Sequence, residues 1–275
     1  MPEVAVQTLL RSPSVAVRDI RCRGTCRHQS AEECAEATEL VFPYRGVYAR
    51  HLGRDQAIAE ANQVVFFNRD EGYRISHPVA GGDACLSLAL SEPLLAELAP
   101  TVLLRAPSGL AFRHHRLRID PQAQAMVARL RQTLKARDAE PLEAESMALS
   151  LVAHVLGPRT ARAAGGSFGR QRLADRVKLV LAGDPARRWT LAQVGAEVGM
   201  SPVYLTQVFT QVEGLSLYRY QLRLRLARAL DLLDDYDDLT ALGLDLGFSS
   251  HSHFSAAFRE TYGGPPSAFR RGASR

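Results

Sequence analysis

Thr190-Leu191-Ala192-Gln193-Val194-Gly195-Ala196-Glu197-Val198-Gly199-Met200-Ser201 and, further along, Leu239-Thr240-Ala241-Leu242-Gly243-Leu244-Asp245-Leu246-Gly247-Phe248-Ser249 are two versions of one pattern. Each is a short amphipathic helix, then Gly, a large apolar residue and Ser, then a second helix. Gly199 and Gly247 fall where a helix ends with positive φ, a conformation that glycine adopts without strain. Met200 and Phe248 are expected to plug the corner between the paired helices. Ser201, followed by Pro202, is a helix N-cap, and Ser249 or Ser250 caps the equivalent helix. The second helices share a core side: Leu205, Val208, Phe209 and Val212 match Phe254, Ala257, Phe258 and Tyr262, with one residue inserted. Two helices joined by a turn of three or four residues containing Gly form a helix-turn-helix. A duplicated unit, joined by a helix over 217–233, is much more specific than one copy.

Outward from the repeat, Leu173, Val177, Val180 and Leu181 line a preceding helix that stops at Gly183-Asp184-Pro185. Before it, 159–169 holds almost nothing apolar and reads as a linker. Further back, Asp120-Pro121 pairs an N-cap with proline at the first helical position. Met126, Leu130 and Leu134 then recur on one face, and Met147, Leu151 and Val155 do so in a second helix ended by Gly157-Pro158. From 37 to 117 short apolar runs alternate with turn residues. Leu40-Val41-Phe42, Gly46-Val47-Tyr48-Ala49, Val64-Val65-Phe66-Phe67, Tyr73-Arg74-Ile75 and Cys85-Leu86-Ser87-Leu88 read as strands of an antiparallel sandwich or barrel. A short helix is expected over 93–98.

The segment from Arg170 to Arg271 resembles the AraC/XylS family of bacterial regulators. The resemblance rests on Leu191, Ala192, Gly199, Ser201-Pro202, Tyr204-Leu205, Phe209, Gly214-Leu215-Ser216, Tyr220, Arg225, Ala229 and Leu232-Leu233. It continues through Leu246-Gly247-Phe248-Ser249, Ser252, Phe254, Phe258, Gly263, Pro265 or Pro266, and Phe269-Arg270-Arg271. It implies an α+β chain: a cupin-like, effector-sensing β-barrel with dimerisation helices (1–158), a linker (159–169) and an all-α domain with two helix-turn-helix units (170–275). The expected function is sequence-specific DNA binding in transcription, with the N-terminal domain sensing a small effector or a metal or redox signal. Double-stranded DNA, a second copy of the chain and RNA polymerase are the expected partners. No enzymatic activity is expected.

In such a domain the second helix of each unit enters a major groove. The outward positions are Val203, Tyr204, Thr206, Gln207 and Thr210 on the first, and His251, Ser252, Ser255, Ala256 and Arg259 on the second. By resemblance, Val203, Thr206 and Gln207 occupy base-contacting positions; Gln207 suits adenine and Val203 a thymine methyl. The family often carries Arg where Ala256 stands, so the second unit is expected to be less selective, with Arg259 on phosphate.

Net charge is +5 with a pI of about 9.2, a mild basic bias. From Arg170 onward 14 Arg and Lys stand against 11 Asp and Glu, so the acidic run Asp231-Asp234-Asp235-Asp237-Asp238 is expected to face away from DNA, toward solvent or another protein. No apolar run reaches the ~20 residues of a membrane span, and no secretory signal is evident at the N-terminus. A cytoplasmic protein with reduced thiols is therefore expected.

Thiolate and imidazole are zinc ligands, and thiolates also serve redox sensing. Two sets qualify for zinc or another thiol-bound metal: Cys22, His77 and Cys85, or the N-terminal Cys26, His28 and Cys34. The alternative is that these are core or incidental residues. Two further functions compete with regulation: an architectural DNA binder without effector, and a cupin-type metalloenzyme. The enzyme would need a His-x-His pair in the barrel, whose histidines are the scattered His51, His77, His114 and His115; His251-Ser252-His253 lies outside it.

Overall fold

The computed structural model describes residues 4–24, 27–105, 110–137, 139–157 and 167–272. They fall into two compact units divided at residue 161. Most of the expected linker lies outside the described residues. Among those described, no helix is long and apolar enough to cross a membrane.

The N-terminal unit contains two antiparallel sheets. Its strands are β1 (Val4–Arg11), β2 (Val15–Cys22), β3 (Glu33–Cys34), β4 (Glu39–Gly46), β5 (Tyr48–Leu52), β6 (Asp55–Ala59), β7 (Gln63–Phe67), β8 (Gly72–Ser76), β9 (Asp83–Leu90) and β10 (Arg116–Arg118). One sheet runs β1-β2-β9-β4-β7-β10 and the other β3-β8-β5-β6. The helices of the unit are α1 (Glu92–Leu98), α2 (Pro121–Ala136) and α3 (Pro141–Leu156).

Strands β4 and β7 are apolar at successive positions because both faces are covered. Leu40, Phe42, Val64 and Phe66 join one core with Val127, Leu130, Ala148, Leu151 and Val152 of α2 and α3. Val41, Val65 and Phe67 point the opposite way, into a second core with Tyr48, Ala59 and Cys85. The large sheet is thus the middle layer. The helical faces carrying Leu130, Leu134, Leu151 and Val155 are spent on this core within one chain.

Asp120 caps α2 by accepting from the Ala123 amide, as its sequence indicates. Strands β1 and β2 lie outside the region that reads as strands in sequence. Strand β1 is an exposed edge, so its pattern lacks a buried face. Gly46, at φ +67°, ends β4 rather than opening the next strand, so the run expected to start at Gly46 begins as β5 at Tyr48.

The C-terminal unit is all-helical: α4 (Phe168–Gly183), α5 (Leu191–Val198), α6 (Pro202–Glu213), α7 (Leu217–Leu232), α8 (Leu239–Asp245), α9 (His251–Tyr262) and α10 (Pro266–Gly272). Helices α5–α6 and α8–α9 are the duplicated pairs. Thr190 opens α5 with a reciprocal capping box to Gln193, Ser201 accepts from the Tyr204 amide, and Ser250 accepts from that of His253. Ser250, not Ser249, is therefore the second cap, and the inserted residue lies in the turn ahead of α9.

The first pair closes on Leu173, Val177, Leu205, Phe209 and Tyr220. The second closes on an aromatic chain in which Phe254 lies 5.2 Å from Phe248 and 5.8 Å from Phe258, ring centre to ring centre. Phe248 is 2% exposed and plugs its corner, whereas Met200 is 39% exposed and does not. Both corners share a backbone bond, the Met200 amide donating to the Gly195 carbonyl at 2.8 Å and the Phe248 amide to that of Gly243 at 3.0 Å, so the first corner keeps this bond without the apolar plug.

Candidate nucleic-acid interface and a cysteine–histidine cluster

Helices α6 and α9 each bury one side and leave another to solvent, and the caps explain how the two sides are phased. Ser201 and Ser250 fix where each helix begins, after which the core positions dictate which residues face outward. On α6, Val203, Tyr204, Gln207 and Thr210 are exposed and Thr206 is half-buried. Val203 is 69% exposed, an apolar side chain on a helix surface with no packing role. The Thr206 hydroxyl donates to the Pro202 carbonyl at 2.9 Å. That bond within its own helix leaves its methyl as the simpler contact to offer.

On α9, His251, Ser252, Ala256 and Arg259 are exposed and Ser255 is half-buried. His251 Nε2 and Ser255 Oγ lie 3.3 Å apart, so these two are already partners. His253 packs its ring edge-on against Phe248, at 5.3 Å between centres, and its Nδ1 lies 3.0 Å from Ser249 Oγ. It therefore serves the turn.

Arg225 ties the two helix pairs together, beside Arg188, whose Nε donates to the same Gly247 carbonyl at 3.3 Å. Arg225 of α7 is buried, and its guanidinium donates to the carbonyls of Pro185 (2.8 Å), Ala186 (3.1 Å), Arg187 (2.8 Å) and Gly247 (3.3 Å). The first three belong to the loop entering α5 and the fourth to the turn before α9. Gln221, one turn earlier, also donates to the Arg187 carbonyl at 2.7 Å. Gly247, at φ +83°, could not be another residue: an added Cβ would stand 2.0 Å from the Ala186 carbonyl oxygen. Arg225 belongs to the sequence pattern, but its partners come from a loop whose course the pattern does not encode.

In the N-terminal unit, Cys22 and His77 come together with Asp83. One donor atom from each lies within 4.8 Å of the others. Cys22 ends β2 and Asp83 opens β9 directly opposite it in the pairing register, while His77 follows β8 of the other sheet. His77 Nε2 is 2.6 Å from Asp83 Oδ1. Cys85 stands one step behind, its thiol donating to Asp83 Oδ2 at 3.3 Å. Burial, followed by the neighbouring Asp83 charge, pushes the Cys85 thiol well above its ordinary range. A buried protonated thiol is a poor nucleophile.

Of the alternative set, Cys34 and His28 are exposed and Cys26 lies outside the described residues. Asp83 is absent from both sequence-derived sets, because its place depends on β2, which does not read as a strand.

A family model described as a helix-turn-helix domain matches residues 194–272. The chain is similar to the HTH-type transcriptional regulator GadX of Escherichia coli O6:H1, at 29% identity over 84% of this chain and 81% of that protein. An AraC-like transcription regulator of Streptomyces lividans is 31% identical over 48% of this chain and 46% of its own length. Among solved structures, an AraC-type DNA-binding regulator of Chromobacterium violaceum is 28% identical, covering 39% of this chain and 96% of its own, with a TM-score of 0.37.

Proposed function

Because the chain belongs to the AraC/XylS family and is a DNA-binding transcriptional regulator of that type, we propose that α6 and α9 read two major-groove segments of one operator. The observation that carries this reading is the pair of serine-capped helices, each with an exposed face that packing does not explain, tied to one another through Arg225. The two contacts fall roughly 34 Å apart along one side of the duplex, the length of a helical turn of DNA.

On α6, Gln207 pairs with adenine through its amide, Val203 packs on a thymine methyl, and Tyr204, Thr206 and Thr210 fill the flanks. On α9, His251, Ser252 and Ser255 offer single hydrogen bonds, Ala256 offers at most a methyl contact, and Arg259 meets phosphate. The first unit therefore carries most of the sequence preference and the second contributes affinity. The N-terminal unit senses the signal, and two chains pair through the outer sides of α2 and α3, the inner sides being spent on the sheet. Leu142, 81% exposed at the start of α3, belongs to that outer surface. The protein works in the cytoplasm, where its DNA is, and the acidic run after α7 offers RNA polymerase a surface away from the duplex.

The test is selection of genomic fragments on the purified full chain, followed by affinity measurements over a range of salt. A single enriched motif with two parts one turn apart is expected. Gln207→Ala should relax one base position of the first part, at a cost of about 1–3 kcal/mol. Arg259→Ala should weaken all sequences alike and lower the salt slope by about 1. Binding without any preferred motif would instead mark an architectural protein, and equal loss of selectivity from alanine changes in α6 and α9 would overturn the division of labour.

A further inference from the structure

We propose that Cys22, His77 and Asp83 form a binding site for one divalent transition-metal ion, with zinc the species their chemistry favours. The proposal concerns the N-terminal unit alone and does not depend on how DNA is read.

The first argument is chemical. Thiolate and imidazole donors select zinc and its neighbours over magnesium or calcium, which take oxygen ligands. One thiolate and one carboxylate also balance a dication, so the loaded site buries no net charge. Loading proceeds by proton release: the Cys22 thiol gives up its proton, and the ion takes up the lone pairs freed on imidazole and carboxylate. No electron transfer is involved.

The second argument is geometric. Zinc–ligand bonds of about 2.0–2.3 Å place neighbouring donors on one tetrahedral ion roughly 3.3–3.8 Å apart. The donors of Cys22, His77 and Asp83, all within 4.8 Å of one another, have to move by about an ångström. They arise from β2, from the end of β8 and from β9, so the ion would join the two sheets at one end of the sandwich. His77 is 5% exposed, and its Nδ1 is buried without a hydrogen-bonding partner. Its other nitrogen, Nε2, is the one turned to the cluster, 2.6 Å from Asp83 Oδ1, and it is the atom that would take the ion.

The third argument is that the backbone around the cluster is built to hold it. Gly24 and Gly82 have φ of +63° and +68° and touch: a Cβ on Gly24 would lie 2.5 Å from the Gly82 Cα, and one on Gly82 would lie 2.2 Å from the Cys22 carbonyl oxygen. Only two glycines permit this approach, and it brings the loop after Cys22 onto the loop between His77 and Asp83. The Gly24 amide then points at Cys22 Sγ, at 3.4 Å, an arrangement that favours thiolate. Cys85 orients the far oxygen of Asp83, as outer-shell groups commonly do around metal ligands.

The experiment is titration of the reduced, metal-free full chain with cobalt(II), followed by displacement with zinc(II). The expected result is one equivalent per chain, with the visible bands of tetrahedral cobalt and a thiolate-to-cobalt charge-transfer band in the near ultraviolet. Cys22→Ala should abolish the charge-transfer band, His77→Gln and Asp83→Asn should each weaken binding by at least about 10-fold, and Cys34→Ser should change neither. Far-ultraviolet circular dichroism checks the fold of each variant, and the three ligand variants together protect the test against loss of one. The proposal is overturned if wild-type protein takes up no cobalt at micromolar concentration. It is equally overturned if the charge-transfer band survives Cys22→Ala, or depends on Cys34 or Cys26.

Discussion

Replacing Arg225 by methionine keeps the aliphatic stem packed in α7 and removes the guanidinium. Four carbonyl oxygens lose a charged donor, but not equally. The Arg187 carbonyl retains Gln221 Nε2 at 2.7 Å, that of Gly247 retains Arg188 Nε at 3.3 Å, and that of Pro185 retains a longer contact to Gln221 at 3.4 Å. The Ala186 carbonyl loses its 3.1 Å donor with no such substitute among the described hydrogen bonds. Hydrogen bonds to a charged group contribute about 1.5–3 kcal/mol each, and an orphaned buried acceptor costs about 1–3 kcal/mol. With most partners partly compensated, the net loss should be about 3 kcal/mol.

The loss should also have a distinct functional signature. A rigid link between two binding modules raises overall affinity by about 10²–10⁴ over a single module, and Arg225 is part of that link. Wild-type protein should therefore bind the two-part operator far better than one whose second part is scrambled, and Arg225→Met should lose most of the difference while still recognising the first part. Arg225→Lys keeps the charge but lacks the planar fork needed to reach several carbonyls, so it should recover little. Urea unfolding and gel-shift titration on the two operators check both statements. If Arg225→Met kept wild-type stability and the full advantage of the second part, the account of α7 as the coupling element would be wrong.

Gly247→Ala should destabilise the same junction by at least about 1–3 kcal/mol, from positive φ and the contact with Ala186 together, measurable as a drop in urea midpoint. Lys178 is 1% exposed and 2.7 Å from Glu213 in the core of the first helix pair. Lys178→Met should cost about 3–5 kcal/mol by taking a cation from the buried carboxylates of Glu213 and Asp175, 2.7 and 3.7 Å away, and the double change with Glu213→Leu should return part of it. In the N-terminal unit, burial acts to raise the Asp19 carboxyl, but hydrogen bonds from Lys135 and Tyr44 outweigh it and hold the group below the ordinary value. Its contribution is therefore present above about pH 3.9 and is lost as pH falls through the lowered folded value. Wild type and Asp19→Asn should differ in stability at neutral pH and converge in acid, as followed by denaturation at a series of pH values.

The helical half was legible because its information is local. Caps at Ser201 and Thr190, glycines after α5 and α8, and apolar spacing along α6 and α9 each act within a turn or two of chain. Met200 shows the limit of reasoning from the repeat: both turns share the same backbone bond, yet only Phe248 is buried in its corner while Met200 stays exposed. The sandwich was legible where strands are buried on both faces, as β4 and β7 are, and was not where β1 lies exposed at an edge. The cysteine–histidine cluster was half legible for the same reason. Cys22 and His77 stand out as residue types, but Asp83 becomes their neighbour only through the pairing of β2 with β9, a long-range register.

The extra residue in the turn ahead of α9 has a practical consequence. One residue more separates Ser201 from Ser250 than separates Gly199 from Gly247, and the turn absorbs the difference before either helix begins. Equivalent surface positions must therefore be counted from the serines: Val203 corresponds to Ser252, Thr206 to Ser255, Gln207 to Ala256 and Thr210 to Arg259. Anyone transplanting the preference of one helix onto the other by counting from the glycines would be wrong by one residue, about 100° around the helix. The graft would set the Thr206 and Thr210 side chains on the core positions of Phe254 and Phe258.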